Sequence, residues 1–373
     1  MKFLIIIPTL DLNLGGMERF VIELSTRLTK LGHEITILTG KTNKPINIEN
    51  VKIIRKKIFF PKLFNKPIKY IHLSFLAKHH LKKNKYDYVL AMGLSGIFLK
   101  DYIWRASGSP IPLIRNYKKT LKLSLISKII LFFDLLFQEY LEKKCVLKAK
   151  YHMFPSEELK REFEKSYSFK SKRYFIPCSG TLNIKIKNKK ISKKNIKILT
   201  VGGLTQESKG SKIILEALDK TKDLDIKLIV VGKIKVNVPE HLKELIIEKG
   251  EIPYYKMETI YKESDIFIFP SFIEGFPNAL LEAASFGLPI ISSNIKGINE
   301  YFKHNKDIYI LEKNDSVWLA EAIKKLIDYN TRKTFSKNIV KKAQLINYLI
   351  LTKNFIDFLK NNKNYNLLKK IKK

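Results

Sequence analysis

Residues 265–300 read DIFIFPSFIEGFPNALLEAASFGLPIISSNIKGINE, and the fold can be worked out from this stretch. The run 266–269 is apolar throughout and is closed by Pro270, the pattern of a buried strand in a parallel sheet. A short loop carries Glu274 and Gly275. Pro277 suits the first turn of a helix, where its missing N–H would be unpaired anyway. That helix is expected over 278–286 with Gly287 as its stop, and 288–292 as the next strand. Strand, loop, helix and strand make one βαβ unit. In open α/β sheets ligands gather where loops leave the carboxyl ends of the strands.

Two carboxylates frame the loop: Glu274 within it and Glu282 in the helix. Between them Gly275, Phe276, Pro277 and Asn278 can bring backbone N–H groups at a helix N-terminus close to a ligand. Carboxylates accept hydrogen bonds from vicinal hydroxyls, so one acid per sugar ring is sensible chemistry. Taken alone, such a pair is more often a surface acid beside an ordinary helix glutamate.

The chain of 373 residues is long enough for two domains, and its 45% hydrophobic content is that of a globular protein. Two cysteines, Cys145 and Cys178, give neither a disulfide framework nor metal-ligand spacing, so a reducing cytoplasm is the default location. The opening MKFLIIIPTL is of strand length and leads into a Gly-Gly turn without a cleavage pattern, so it reads as a first strand over 2–10. The nearest approach to a membrane span, 121–141, is interrupted by Lys122, Lys128, Asp134 and Glu139. The net charge of +35 fits nucleic acid, an anionic membrane, or a lysine-rich coding bias. From 51 to 86 there is no acidic residue, while lysines alternate with aromatic and aliphatic groups such as Phe59, Tyr70 and Phe75. Residues 51–85 therefore suit either the interface of an anionic membrane or a domain core with a solvated lysine face.

Both halves start strand-first. After the first strand, Gly15-Gly16-Met17-Glu18-Arg19 leads into a helix with apolar Phe20, Val21, Leu24, Leu28 and Leu31. Further strands are expected at 34–39, 51–55, 86–92, 151–155 and 174–177. A helical pattern over 124–148 is very apolar on one side, and Ser156 reads as a helix N-cap. A polar, lysine-rich connector over 181–195 marks the domain boundary. Beyond it, strand 196–201 runs into Gly202-Gly203-Leu204-Thr205-Gln206-Glu207-Ser208-Lys209-Gly210, and strand 225–232 ends at Gly232. A lysine beside glycines at a helix start can neutralise a diphosphate.

PSFIEGFPNALLEAASFGLPII resembles the donor-site signature of the retaining glycosyltransferases of family 4. The 15–19 segment is similar to the family's opening GGxER, and 202–210 to its G-R-L-x-x-x-K-G. The resemblance implies an α/β GT-B fold, with two Rossmann-like doubly wound domains facing a central cleft. Residues 1–185 would be the acceptor-binding domain and 186–373 the nucleotide-sugar domain, with a last helix, about 340–361, returning to the first. It implies transfer of a hexose from a UDP- or GDP-sugar to a hydroxyl of a cell-surface glycan or lipid-linked acceptor, as in polysaccharide or lipopolysaccharide synthesis. No metal or other cofactor is implied, and no nucleic acid partner. The catalytic residues would be Glu274 and Lys209. Donor contacts would come from Gly15, Gly16, Gly203, Lys209, Gly232, Ile252, Glu274, Gly275, Phe276, Pro277, Asn278 and Glu282, and Asp101 and Arg105 are candidate acceptor-side residues.

The expected location is the cytoplasm, at the inner membrane face, since the family's acceptor domain often docks on membranes. Three departures stand out. Gly203 replaces the phosphate-binding arginine, Ser109-Pro110 stands where a histidine is usual, and Cys178-Ser179 replaces Asn-Gly. The competing readings are a GT-B sugar-nucleotide epimerase, which would need no acceptor, and a non-catalytic basic protein binding nucleic acid or another anionic polymer.

Overall fold

The computed structural model describes residues 1–11, 15–58, 65–118, 124–177, 179–182, 184, 191–205 and 207–372. The chain divides into two compact units, Met1–Ser179 with Tyr348–Lys373, and Gly180–Asn347.

The first unit is built on β1 (Lys2–Ile6), β2 (Glu34–Gly40), β3 (Val51–Lys56), β4 (Tyr88–Met92), β5 (Ile103–Arg105), β6 (Tyr151–Met153) and β7 (Tyr174–Ile176). With the short strand Tyr365–Asn366 they form a sheet, all parallel among the described residues, in the order Tyr365–Asn366, β7, β6, β5, β4, β1, β2, β3. Ile5 of β1 lies between Ile37 and Leu90, and all three are buried. A strand so placed is apolar on both faces, as KFLII is. β1 is shorter than the expected 2–10 because Pro8 has no N–H for the ladder; its carbonyl still accepts from Gly40 N at 3.2 Å. Helix Leu125–Lys148 fills the apolar pattern expected at 124–148, capped by Ser124. Ser156 likewise caps Glu157–Tyr167, accepting from Leu159 N at 3.1 Å.

Helix Tyr348–Asn361 belongs to this unit. Phe355 is fully buried among Phe3, Phe175 and Phe358, at ring distances of 6.5, 5.4 and 6.5 Å. The Tyr88 hydroxyl donates to Leu359 O at 3.3 Å.

Among the described residues of 51–85, the apolar groups other than Phe75 are buried or half-buried. Ile58, Tyr70, Leu73 and Ala77 are buried, Phe75 is exposed, and Lys52, Lys56, Lys78, Lys82, Lys83 and Lys85 face solvent. Phe59, Phe60, Lys62, Leu63 and Phe64 of that segment lie outside the described residues, as does Cys178.

The second unit contains β8 (Ile196–Val201), β9 (Ile226–Val231), β10 (Ile246–Gly250), β11 (Ile266–Phe269), β12 (Ile290–Ser292) and β13 (Tyr309–Ile310). They form a parallel sheet in the order β10, β9, β8, β11, β12, β13. Its core joins Ile198, Leu228 and Ile268 to Ile214 and Leu218 of helix Ser211–Asp219 and to Leu319 and Ile323 of helix Ser316–Ile327. The unit begins at Gly180, ahead of the 185/186 division expected from composition. Thr181 is already tied to it, through its N–H to Ile346 O at 3.1 Å and its hydroxyl to Ala343 O at 2.5 Å. Leu182 N donates to Ser285 Oγ at 2.8 Å.

Removing the ring that locks the last helix to the first sheet should cost about 3–5 kcal/mol. Urea unfolding of Phe355→Ala, followed by Trp104 fluorescence in a Trp318→Phe background, should show the first unit's unfolding free energy lowered by that amount, with a correspondingly lower midpoint. An unchanged midpoint would mean that this helix is not part of the first unit's core.

Candidate functional site

In the second unit the strand order reverses between β8 and β11. This is the switch point at which open α/β sheets bind ligands. The loop after β8 passes through Gly202 and Gly203 and reaches the 3-10 turn Glu207–Lys209. Gly210 (φ +75°) then starts helix Ser211–Asp219. The loop after β11 runs through Pro270 to Pro277 and helix Asn278–Ser285.

The two loops touch through backbone. Phe272 N donates to Ser208 O at 2.9 Å, and a Cβ on Gly210 would stand 2.3 Å from Pro270 O. Asn314 Nδ2 donates to the same Pro270 carbonyl at 3.0 Å. This contact brings the Lys209 ammonium onto Glu274 Oε1 in an ion pair. Glu274 is the more enclosed partner, its side chain 17% exposed against 38% for Lys209. The two residues named from separate motifs are thus neighbours.

Helix Asn278–Ser285 begins where expected, with Pro277 as its N-cap rather than in its first turn, and ends one residue sooner, with Phe286 as C-cap and Gly287 at φ +68°. No side chain caps its start, and first-turn N–H groups have no intrahelical acceptor. Phe276 stacks on Tyr301 with ring centres 4.0 Å apart, fixing the approach to the helix. Glu282 is half-buried and accepts from the Tyr261 hydroxyl at 2.9 Å, and Tyr261 stacks on Phe286. Sequence reading did not single out Tyr261, Tyr301 or Asn314, because each lies on a separate element and carries no motif.

Gly203 and Gly232 have a shared structural reason. A Cβ on Gly203 would meet Lys233 O at 2.4 Å, and one on Gly232 would meet Gly203 N at 2.6 Å. The loops after β8 and β9 therefore run main chain against main chain, with Gly203 N donating to Val231 O at 2.9 Å. No side chain fits at position 203 in this backbone, which accounts for the missing arginine. Gly232 N donates to Gly250 O at 2.7 Å, and half-buried Ile252 follows two residues later.

The first sheet has its own switch point, between β1 and β4. Gly15, exposed and without a capping side chain, precedes helix Gly16–Lys30 there. Glu18 sits in the first turn and accepts from the Thr9 hydroxyl at 2.9 Å. Burial raises its carboxyl above the ordinary range, with Asp11 adding to the effect against hydrogen bonds that lower it. Arg105 ends β5 fully inside the unit. Its guanidinium lies 4.0 Å from the centre of the Phe20 ring and donates to Ala106 O and Ser179 Oγ at 3.1 and 3.3 Å. Asp101 does not join this group: it precedes β5, at the amino end of the strand, exposed and with φ +55°.

Among the described residues no cluster of three or more His, Cys, Asp or Glu is arranged to hold a metal ion.

Two family models match the chain, Glycosyltransferase Family 4 over residues 14–179 and Glycosyl transferases group 1 over 183–343. The chain belongs to the group 1, family 4 glycosyltransferases. An Escherichia coli UDP-Gal:alpha-D-GlcNAc-diphosphoundecaprenol alpha-1,3-galactosyltransferase is 42% identical over 80 residues, covering 21% of each chain. The stretches matched in the first curated relatives span about a fifth to a third of their length. An uncharacterized glycosyltransferase of Haemophilus influenzae is 24% identical over 84% of this chain and 87% of its own. Sucrose-phosphate synthase from Thermosynechococcus elongatus superposes with a TM-score of 0.79 at 18% identity, over 97% of this chain and 98% of its own. The fold is GT-B.

The raised carboxyl at Glu18 has a testable sign. A carboxylate whose folded pKa is raised costs stability above that pKa, and the cost disappears as pH falls through it. Glu18→Gln should therefore melt higher than wild type at pH 8, with the gap closing as pH drops into and below the ordinary carboxylate range. Paired melting curves across that window check it, and a gap that does not change with pH would refute it.

Proposed function

We propose that this chain transfers a hexosyl group from a nucleoside-diphosphate sugar, UDP- or GDP-linked, to a hydroxyl of a cell-surface glycan or lipid-linked acceptor, with the anomeric configuration retained. The observation that carries the reading is the Lys209–Glu274 pair at the second sheet's switch point, beside an uncapped helix start. The Escherichia coli relative, which by its name uses UDP-galactose and a diphosphoundecaprenol-linked sugar, supports the donor and acceptor classes.

The pair suits a ligand that carries both charge and hydroxyls. Partly exposed ion pairs contribute only about 0–1 kcal/mol, so a bound donor can part the two side chains at small cost. Lys209 would turn to the diphosphate, with the glycine-flanked helix start behind it. Glu274 would take hydroxyls of the transferred sugar, and the N–H groups of Gly275 and Phe276 its remaining oxygens. Glu282, oriented by Tyr261, would accept from the ribose hydroxyls.

In a front-face substitution the bond from the anomeric carbon to the diphosphate oxygen breaks. The acceptor oxygen bonds to that carbon from the same side, and its proton passes to the departing phosphate oxygen. Negative charge grows on the diphosphate, so its stabilisation is the main catalytic task. Lys209 supplies that charge in place of a metal.

Lys209→Ala and Glu274→Gln should each lower kcat/KM about 10²–10³-fold, the range for losing one group that stabilises the transition state. The double variant should lose less than the product of the two. Nucleotide sugar at about 100 times its Kd should stabilise the wild type by about 2.7 kcal/mol in thermal shift, and turnover should persist in EDTA. No stabilisation by any UDP- or GDP-sugar, or a product of inverted configuration by NMR, would overturn the reading.

A further inference from the structure

Strand β11 ends at Phe269, paired with Ser292 of β12. Pro270 follows and has no N–H to carry the ladder on. Pro270 and Ser271 are both buried, so their carbonyls need donors from the protein. Those donors come from the loops after β12 and β13, strands on the side of β11 away from β8.

Ser293, buried at the first position beyond β12, holds two carbonyls. Its N–H donates to Phe269 O at 3.1 Å and its hydroxyl to Ser271 O at 2.5 Å. Asn314 holds the one between them, Nδ2 to Pro270 O at 3.0 Å. Asn314 is itself fixed by its neighbour Asp315, whose carboxylate caps helix Ser316–Ile327 by accepting from Trp318 N at 3.0 Å. Three consecutive carbonyls, 269 to 271, are thus held in place. The next group along the chain, Phe272 N, is tied to Ser208 O on the β8 side. Glu274 stands two residues further on.

Lys209 rides on the loop after β8, between the Ser208 and Gly210 contacts, and Glu274 on the loop after β11. The contacts on the β8 side fix only one edge of the second loop. Ser293 and Asn314 fix its other edge, and both act on main chain at least three residues ahead of Glu274. A side chain on so short a loop follows the peptide planes that precede it. If the two residues did no more than satisfy buried carbonyls, their loss would lower stability without any particular link to Glu274.

We propose that Ser293 and Asn314 are positioning residues for the Lys209–Glu274 pair. Through the peptides of 269–271 they set where the Glu274 carboxylate stands against Lys209, and so how well the site turns over. The catalytic part of this inference rests on the transferase reading, and the structural part does not.

The test joins hydrogen exchange to a double-mutant cycle on the full chain. In Ser293→Ala and in Asn314→Ala, residues 270–276 should exchange about tenfold faster than in wild type, the scale of one lost hydrogen bond. Helix Ser211–Asp219 should keep its protection. Each variant should lower kcat/KM about ten- to a hundredfold, as a reacting group displaced by an ångström or less does. In a Glu274→Gln background the same substitutions should cost less than about twofold more, because they act through that carboxylate. Asn314 is half-buried, so Asn314→Ala carries the test if Ser293→Ala fails to fold. Unchanged exchange in 270–276 would overturn the proposal, and so would an equal loss of activity with and without Glu274. A wild type silent with every UDP- and GDP-sugar would count against the transferase reading instead. Exchange would then decide alone whether the two side chains hold the loop.

Discussion

The candidate site exists because loops of the second unit pack backbone against backbone. Gly210 against Pro270 O leaves no room for a side chain, and the Phe272–Ser208 hydrogen bond holds the two loops in register. Gly203 and Gly232 do the same one strand over. At φ values of +73°, +75° and +112° these positions also favour glycine conformationally. A single β-carbon at 203 or 210 would force the loops apart by an ångström or more. Lys209 would then lose its reach to Glu274.

That packing determines how the charges are held. Lys209 and Glu274 meet where solvent still reaches the lysine, so the pair adds little stability and is easily opened. Glu282 is placed differently, on a helix and against a buried tyrosine that is itself stacked on Phe286. A ligand therefore meets one acid that can exchange its partner and one that is already oriented. In the first unit the cations are deep: Arg105 sits over the Phe20 face and Arg19 is buried in the first helix. Arg105 is thus held in place for structural reasons before any acceptor is considered.

Much of the fold could be read from the sequence because parallel strands are apolar on both faces. KFLII, IKILTV, IKLIVV and IFIF declare themselves without alternation. β5 and β10 did not. The first is three residues long, and the second, IIEKG, lies at a sheet edge where one side needs no partner and charged residues are tolerated. Site legibility stopped at the same kind of limit. Glu274, Glu282 and Lys209 carry motif positions, but their separation of 65 residues between lysine and acid gives no hint of contact. The absent arginine at 203 read as a lost phosphate contact. The structure gives it a steric cause that only the neighbouring strand's loop reveals.

The two basic, apolar segments of the first unit show why composition alone misplaces a surface. Residues 51–85 carry the denser run of lysines and no acid, yet their helix Asn65–Lys83 turns Tyr70, Leu73 and Ala77 inward and leaves Phe75 as its exposed large apolar residue. Residues 125–148 carry three acids and fewer lysines, and still keep Ile126, Ile129, Ile130, Phe133, Phe137 and Tyr140 outside. A helix periodic in apolar residues has one face to bury. A helix apolar nearly all round has two, and the chain can cover only one of them here. The second face follows from an excess of apolar groups over what the sheet can hide, and the direction of that excess is fixed by Leu135, Leu141 and Cys145 packing on the unit's interior.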